Sequence, residues 1–256
     1  TLPDDELTII KPPVGCPFTK PGMYWRLRKS LYGLRCAPRH WFDKITGILK
    51  SMGLRTSPHD PCIFHGSLLP GSAPIYIGLY VDDFCYFSSD PKIESLFEKL
   101  LASKCSVDFM GDVSWFLGVS FDWSRSSTGD ISVHLNQAAF SQFLVDKHNL
   151  TTANKSRRAT PYRSGLPVDG VPDIDMPPEA RKGLQKKYRS AIGMLNWLAT
   201  CTCPDIAPIN SFLAAYQNNP SPGHMDAALY AIRYINSTVS HGIRFCSSGQ
   251  TYCQGY

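Results

Sequence analysis

Several features that would place this chain in a membrane or secreted class are missing from its sequence. No apolar run reaches the ~18–20 residues that a membrane-spanning helix requires. No secretory signal is recognisable, and nine cysteines are an odd number for a disulfide framework in a chain of 256 residues. These absences favour an intracellular protein with reduced thiols and no membrane partner.

Common metal-binding spacings are missing as well. Cys201 and Cys203 are separated by one residue, and no second CxxC or HxxxH pair accompanies them. The histidines His40, His59, His65 and His224 do not cluster by spacing either. A structural zinc site is therefore not predicted, and the chain also contains no internal repeat or low-complexity tract.

What the sequence does contain is an ordinary composition with an uneven distribution of charge. It is 43% hydrophobic and 18% charged, which suits one large domain or two small ones. The net charge of +5 permits a polyanionic partner without requiring one. Between residues 24 and 60 there are eight Lys and Arg residues but only two acidic residues. This segment is either a phosphate-facing surface or the solvated face of a helix.

Hydrophobic periodicity predicts an α+β first half. Apolar residues recur at helical spacing from Trp41 to Met52, after Pro38 as a helix start. The runs "PIYIGLY" and "FCYFSS" are rich in aromatic and β-branched residues and predict a hairpin. Asp90 and Pro91 then open a second helix, and "SWFLGVSFDWS" and "DISVHLNQ" predict a second hairpin.

The second half is predicted to be mostly helical. Helical patterns cover about 138–148, 184–200, 204–217 and 222–236. A stretch rich in Pro, Gly and charge near 151–182 predicts a linker between the first of these helices and the rest.

Two adjacent carboxylates, Asp82 and Asp83, interrupt the first predicted hairpin in "IGLYVDDFCYF". Successive residues of a regular strand face opposite sides, so both can serve one site only at a turn, here Val81–Asp83. Tight hairpin turns favour Asn-Gly or Asp-Gly, and Val-Asp-Asp fits that demand poorly, so we expect backbone strain. The alternatives are a solvated turn and a catalytic turn that binds metal.

The chemistry of paired carboxylates favours a hard cation at such a turn. Two close carboxylates repel each other unless a cation lies between them, and Mg²⁺ prefers oxygen ligands. Paired divalent ions about 3.5–4 Å apart activate the attacking oxygen and stabilise the leaving oxygen in phosphoryl transfer.

Five segments, in order along the chain, resemble the reverse transcriptase of copia-type LTR retrotransposons. "WRLRKSLYGLRCAPRHWF" is similar to the segment before the family's catalytic hairpin, and "LYVDDF" is similar to that hairpin. "WFLGV" resembles the primer-gripping hairpin, while "YRSAIGMLNWLATCTCPDI" and "HMDAALYAIRYINST" resemble two C-terminal helices. The resemblance covers nearly the whole chain.

The resemblance implies an α+β, right-hand polymerase fold. Residues 1–134 would form part of the fingers and a palm, whose antiparallel sheet carries the YVDD hairpin. Residues 135–256 would form a helical thumb and connection. The implied activity is RNA-directed DNA polymerase, a nucleotidyltransferase segment of a retrotransposon polyprotein.

It also implies three groups of site residues. Catalysis and binding of two Mg²⁺ ions, or of Mn²⁺ as a substitute, would fall to Asp82 and Asp83. Nucleotide and template would be bound by Tyr32, Gly33, Arg35, Arg39 and Tyr80. The primer grip would consist of Trp115, Phe116, Leu117 and Gly118. From the pattern alone, Tyr80 is either a packed strand residue or a shape gauge beside the primer end. On periodicity alone, residues such as Trp115 and Phe116 are more often plain core.

The family resemblance sets further expectations for partners and activity. Partners would be an RNA or DNA template with its primer, deoxynucleoside triphosphates, and the ribonuclease H and integrase domains of a parent polyprotein. A third catalytic aspartate would lie upstream of Thr1, so we expect the 256-residue segment to be inactive alone. A cytoplasmic retroelement particle or the nucleus would be its location.

Two other functions stay open at this point. One is a non-catalytic remnant of a degraded retroelement that still binds template and primer, which suits Cys36 and Cys203 at positions where the family usually has glutamine and arginine. The other, more weakly supported, is a two-metal nuclease.

Overall fold

The strand and helix patterns of the sequence form two separate structural units. The computed structural model describes residues 7–20, 22–127, 129–150, 158–165 and 176–247. The chain divides into Thr1–Gly111 and Asp112–Tyr256, each with its own hydrophobic core. Both units combine helices with antiparallel sheet, which confirms the predicted α+β class.

In chain order, the described elements of the first unit are β1 (Ile9–Ile10), β2 (Trp25–Arg26), α1 (Ala37–Ser51), β3 (Arg55–Thr56), β4 (Ile63–Gly66), β5 (Ile75–Tyr80), β6 (Asp83–Ser88) and α2 (Pro91–Ala102). They form a two-stranded ribbon of β1 and β2, a four-stranded antiparallel sheet in the order β3-β4-β5-β6, and two helices.

Alternation along β5 decides which face of this sheet is buried. Ile75, Ile77 and Leu79 are buried, whereas the residues between them are more exposed. Against this face pack the apolar stripes of α1 and α2, where spacings of four residues keep side chains on one helix face. The buried side chains of these stripes are Ile45, Leu49, Ile93, Phe97 and Leu101.

The start of α2 follows the local signals of the sequence. The Asp90 side chain accepts a hydrogen bond from the Lys92 N–H at 2.9 Å, and Pro91 occupies the first turn. Two further bonds tie β6 to α2: the Tyr86 hydroxyl donates to Glu98 at 2.6 Å, and the Ser88 N–H donates to Glu94 at 2.8 Å. Burial, followed by the bond to Glu98, raises the pKa of Tyr86 well above its ordinary value of 10.0.

In chain order, the elements among the described residues of the second unit are β7 (Trp115–Phe116), β8 (Val119–Arg125), β9 (Ile131–Asn136), α3 (Ala138–Lys147), α4 (Pro178–Cys201), a 3₁₀ turn at Pro204–Ile206, α5 (Ala207–Ala214), α6 (Pro222–Ser237) and β10 (Gly242–Cys246). The strands form a four-stranded antiparallel sheet in the order β10-β9-β8-β7, and four α-helices accompany it.

The core of the second unit lies among its helices. Tyr188, Leu195 and Leu198 of α4 are fully buried, as are Ala231 and Ile232 of α6. The Tyr188 hydroxyl donates to the Leu213 carbonyl at 2.7 Å, so the buried phenol keeps a hydrogen-bond partner.

Two details of the second half differ from the sequence prediction. The helix predicted over 184–200 begins at Pro178, inside the predicted linker, of which 151–157 and 166–175 lie outside the described residues. The second half also contains β10, which pairs with β9 from Gly242↔Asn136 to Cys246↔Ser132. A five-residue strand whose partner is about a hundred residues away carries no local signal of its pairing.

The boundary between Gly111 and Asp112 separates two compact units of the chain. The division into palm and thumb regions at residues 134 and 135 stays a prediction. No helix of the described part of the chain combines the length and apolar character needed to cross a membrane.

Candidate active-site hairpin

The two aspartates lie at a tight β-hairpin, as the sequence predicted. Strands β5 and β6 pair from Ile75↔Ser88 to Tyr80↔Asp83. The connecting loop is therefore only Val81 and Asp82, and Asp83 is already the first residue of β6. Both carboxylates are exposed rather than buried in apolar packing, so they are accessible to a cation and to substrate.

The turn has the backbone strain that its sequence suggests. Val81 has a φ of 55°, in the left-handed region that β-branched residues avoid. A positive φ at the first central residue is the feature of a type II′ turn, where glycine is the usual occupant. Holding valine there costs about 1–3 kcal/mol, and such strain persists where the surrounding structure enforces it.

A side chain of α1 supplies that enforcement. The indole Nε1 of Trp41 donates a hydrogen bond to the Val81 carbonyl at 2.5 Å. This bond joins the first turns of α1 to the strained residue across 40 positions of sequence. The periodicity of the sequence identified Trp41 only as part of an apolar helix stripe, so its contact with the turn was not predicted from the sequence.

The two faces of the β5–β6 hairpin differ in burial. Residues opposite each other in the register share a face, so Tyr80 and Asp83 lie on the same side. Leu79, on the other side, is buried in the core, whereas Tyr80 is 56% exposed. Of the two interpretations of Tyr80, the packed strand residue is therefore the weaker, and this side chain is free to contact a ligand beside Asp83.

The donor set of the turn fits a hard divalent cation. Asp82 and Asp83 offer exposed carboxylate oxygens at adjacent positions, which are the ligands that Mg²⁺ and Mn²⁺ prefer. Within the described residues no group of three or more His, Cys, Asp or Glu side chains could hold a metal ion. The described chain thus supplies two carboxylates to such a site.

The loop predicted to bind nucleotide and template leads directly into α1. Tyr32 is fully exposed, and Gly33 has a φ of 95° with nothing near the position a Cβ would occupy. Its glycine is therefore required by the backbone conformation and leaves the loop surface open. Arg35 is exposed in the same loop.

Helical geometry separates Arg39 from the turn-facing side of α1. Arg39 lies two residues before Trp41, which is about 200° around the helix, and its Nε is 3.8 Å from the Asp43 carboxylate. Lys44, three residues after Trp41, shares that side, and its ammonium lies 6.0 Å from the centre of the Trp41 ring. The template contact of Arg39 stays a prediction, while Lys44 is the cation of α1 on the side that reaches the turn.

The predicted primer grip forms a hairpin of its own in the second unit. Strands β7 and β8 pair at Phe116↔Val119, so the loop is Leu117 and Gly118, with φ values of 49° and 78°. Positive φ at both residues is the feature of a type I′ turn. Trp115 is 65% exposed, and Phe116 is partly buried. The interpretation of both as plain core therefore does not hold for Trp115.

A basic cluster lies on α4 of the second unit and consists of Arg181, Lys182, Lys186, Lys187 and Arg189. Arg189 donates to the Gln217 carbonyl at 3.0 Å and to the Asn218 side chain at 2.7 Å, so it holds the segment after α5. The other four side chains are exposed on the same helix. Contact of this cluster with template–primer phosphates stays a prediction, beside the alternative of a solvated helix face.

Comparison with known proteins identifies the class to which this geometry belongs. The profile of the family described as reverse transcriptase (RNA-dependent DNA polymerase) matches residues 4–163. The match includes the YVDD hairpin, the loop before α1 and the WFLGV hairpin. The chain belongs to this reverse transcriptase family.

Individual relatives narrow the family to its retrotransposon branch. The chain is 30% identical over 247 residues to the "Retrovirus-related Pol polyprotein from transposon RE1" of Arabidopsis thaliana, covering 96% of this chain and 16% of that protein. It is 28% identical over 260 residues to the "Putative transposon Ty5-1 protein" of Saccharomyces cerevisiae, covering 98% of this chain and 78% of the yeast protein. The "Retrovirus-related Pol polyprotein from transposon TNT 1-94" of Nicotiana tabacum is 26% identical over 229 residues, which are 90% of this chain and 17% of that polyprotein.

These relatives confirm the resemblance that the motifs indicated. The chain is a copia-type reverse transcriptase segment. It spans about a sixth of the length of the Arabidopsis and tobacco polyproteins. No solved structure matches the chain.

Proposed function

We propose that this chain is the polymerase segment of a copia-type retrotransposon polyprotein and that the Val81–Asp82 turn is its catalytic turn. One observation carries the proposal: two exposed carboxylates lie in and directly after a strained two-residue turn that α1 holds through Trp41, inside the region matched by the family. A solvated loop would need neither the strained valine nor the bond that fixes it.

The chain's own residues would divide the work of phosphoryl transfer. Asp82 and Asp83 would hold two Mg²⁺ ions, which when bound would help to activate a primer 3′-hydroxyl and to stabilise the pyrophosphate that leaves the deoxynucleotide. Tyr80 would lie beside the primer end, on the face that it shares with Asp83. The floor of the nucleotide site would be formed by Tyr32, Gly33 and Arg35.

We infer the remaining partners from the same assignment. The substrates would be deoxynucleoside triphosphates and an RNA or DNA template with primer, which Trp115 and the Leu117–Gly118 turn would grip. Two relatives carry the words "Pol polyprotein" in their names, and we propose that ribonuclease H and integrase domains share the parent protein of this chain. A retroelement particle or the nucleus would be the site of action.

Metal binding at the turn is the most direct test. Mn²⁺ broadens NMR signals close to it, so titration of the 256-residue chain should broaden the amide signals of Val81, Asp82 and Asp83 at low metal concentration. Asp82→Asn and Asp83→Asn should each weaken this broadening at least tenfold. Asp108→Asn, which alters an exposed carboxylate outside the turn in the same unit, should leave it unchanged. Equal broadening in all four proteins would contradict the assignment.

Primer extension with Mg²⁺ tests the reaction itself. We expect the 256-residue segment alone to be inactive or nearly so. Any residual incorporation of deoxynucleotides should survive Asp108→Asn and disappear with either Asp82→Asn or Asp83→Asn. Salt-dependent binding of template–primer that persists in both turn variants, without any synthesis by wild type, would instead favour the non-catalytic binding remnant. Cleavage of nucleic acid without added deoxynucleotides would favour the nuclease.

A further inference from the structure

Three arginines and a tyrosine line a surface pocket of the second unit, and none of them has been assigned a role above. The pocket has a volume of about 380 Å³ and is lined on one side by α6 and on the other by residues from the segment 158–165. Arg158, Arg163 and Arg233 contribute its cations, and Tyr230 is the aromatic residue of its lining. In the sequence, Arg158 and Arg163 fall in the predicted linker and carry no recognisable signal.

Helical spacing explains how α6 presents its part of the pocket. Gly223, Asp226, Tyr230 and Arg233 follow each other at intervals of three or four residues, so they lie along one face of the helix. Gly223 is in the first turn of α6, where the positive end of the helix dipole favours anions. The face is therefore positive at its start and at Arg233.

The other side of the pocket is anchored to α6 at the opposite end. The Arg158 N–H donates to the Ser237 hydroxyl in the last turn of α6 at 3.1 Å. The guanidinium carbons of Arg158 and Arg163 lie 5.0 Å and 6.0 Å from the centre of the Tyr230 ring. Both distances are in the range of cation–π attraction, so Tyr230 positions two guanidinium groups together.

The charges of the pocket are unbalanced. Three guanidinium groups accompany a single carboxylate, Asp226, which leaves an excess of two positive charges. In the described part of the chain, none of the three arginines forms an ion pair with Asp226. The Nε of Arg158 is moreover buried without a hydrogen-bond acceptor among the described residues. Converging cations and an orphaned N–H donor are both stabilised by an anionic acceptor.

We propose that this pocket binds a phosphate group and that a nucleic-acid strand supplies it. Guanidinium groups match phosphate oxygens in a forked geometry, which makes arginine the residue of choice for this ligand. Proteins recognise sugar–phosphate backbones mainly through such side chains together with helix N-termini. The pocket requires no catalysis by the YVDD turn, so this proposal stands independently of polymerase activity.

Salt dependence of strand binding tests the proposal. Affinity of the 256-residue chain for a fluorescent primer–template duplex is measured by anisotropy between about 50 and 200 mM salt, without metal or deoxynucleotides. Arg163→Gln/Arg233→Gln removes two cations from the pocket and leaves Arg158 in place. The slope of log affinity against log salt should fall by about two in this variant. Arg125→Gln/Arg244→Gln, which removes the same charge from exposed positions on β8 and β10, should leave the slope nearly unchanged.

NMR of the buried Arg158 Nε–H distinguishes the source of the phosphate. Inorganic phosphate and the duplex should both shift this signal in wild type, and neither should do so in Arg163→Gln/Arg233→Gln. A shift with inorganic phosphate combined with an unchanged salt slope would overturn the nucleic-acid strand as the source and assign the pocket to a free phosphorylated ligand. An unshifted signal with both probes, together with an unchanged slope in a variant that melts like wild type, would overturn the phosphate pocket.

Discussion

Val81 and Trp41 show how single residues fix the geometry of the candidate catalytic turn. Val81 adopts a conformation that costs valine free energy, and Trp41 supplies a hydrogen bond to its carbonyl. A net contribution of about 0.5–1.5 kcal/mol is typical of such a bond, which is comparable with the strain it opposes. The turn is therefore held by a side chain that is 40 residues away in sequence.

The substitution Trp41→Phe tests this role at the residue scale. It keeps an aromatic ring in the helix stripe and removes the donor to Val81, so the turn should relax. We expect amide exchange at Val81 and Asp82 to accelerate by about fivefold and Mn²⁺ affinity at the turn to fall several-fold, as a loss of about 1 kcal/mol implies.

A matched control is available in the second unit. Trp123→Phe removes the same kind of bond, since the Trp123 Nε1 donates to the Val113 carbonyl at 2.7 Å. This control should leave exchange and metal binding at the Val81–Asp82 turn as in wild type. If Trp41→Phe behaved like Trp123→Phe at that turn, the positioning role of Trp41 would be refuted.

At the scale of elements, the β7–β8 hairpin depends on a glycine that meets two demands. Gly118 has a φ of 78°, and a Cβ at this position would lie 3.3 Å from the Trp197 ring of α4. Strand and helix thus approach each other closely at the predicted primer grip. The glycine serves both the turn and the packing of the hairpin on α4.

Gly118→Ala should therefore destabilise the second unit more than an equivalent change at an open turn. Gly129→Ala is the matched control, because Gly129 also has a positive φ, of 90°, but nothing lies near its Cβ position. We expect about 1–3 kcal/mol of lost stability for Gly118→Ala, of which backbone strain alone, about 1 kcal/mol, is shared by the control. Urea denaturation of the two variants measures the difference; equal losses would show that the approach of Trp197 has no cost.

The start of α6 is stabilised by a reciprocal cap between Ser221 and His224. The Ser221 hydroxyl accepts the His224 N–H at 3.2 Å, and the His224 Nδ1 accepts the Ser221 N–H at 3.0 Å. His224 is buried and stacks on Tyr216 with a ring separation of 3.9 Å. Because Nδ1 must accept a proton donor, the cap requires the neutral imidazole.

This cap predicts a dependence of stability on pH. Burial lowers the pKa of His224 from its ordinary value of 6.5, so the unfolded chain binds a proton more readily than the folded one. The contribution of neutral His224 to the stability of the fold is present above pH 6.5. It is lost as the pH falls through 6.5 towards the lowered pKa of the folded state. The unfolding free energy of the second unit, followed by urea denaturation from pH 7.5 downwards, should decrease in that window.

The substitution His224→Gln isolates this effect. Glutamine at the third helical position keeps the reciprocal cap but does not titrate, so the slope with pH should become shallower. His148 contributes in the same direction, because burial and then the charge of Lys147 lower its pKa. The unfolding free energy of the double variant His224→Gln/His148→Gln should therefore depend even less on pH. An unchanged slope in both variants would contradict the protonation model of the cap.

At the scale of the whole molecule, the chain has two cores rather than one. Phe97 is fully buried in the first unit and Leu195 is fully buried in the second. Units of roughly 110 and 145 residues are each within the size range in which a domain supports its own core.

A substitution in one core should accordingly lower the stability of its own unit and leave that of the other unit unchanged. We expect Phe97→Ala to reduce the stability of the first unit by about 3–5 kcal/mol and Leu195→Ala to reduce that of the second by about 2–5 kcal/mol. Amide hydrogen exchange, read at α2 and at α4, measures the two effects separately. Phe87→Ala is the control for size and aromaticity, because Phe87 is 61% exposed, and a loss equal to that of Phe97→Ala would contradict the position of the core.

Local patterns in the sequence determined a large part of this protein. Alternation on either side of the aspartates predicted the β5–β6 hairpin, an ill-suited turn sequence predicted its strain, and ordered motifs predicted the reverse transcriptase family. These signals are readable because strand alternation, turn chemistry and helix caps act between neighbouring residues.

Tertiary structure alone decided which distant residues meet. The bond from Trp41 to Val81, the pairing of β10 with β9 and the gathering of Arg158 and Arg163 with Arg233 around Tyr230 join segments 40 to about 110 residues apart. No local pattern encodes such a partner, because the residues on each side satisfy the periodicity of their own element equally well with or without it. The choice is made when the chain packs, since only then do buried donors, charges and apolar faces compete for the same neighbours.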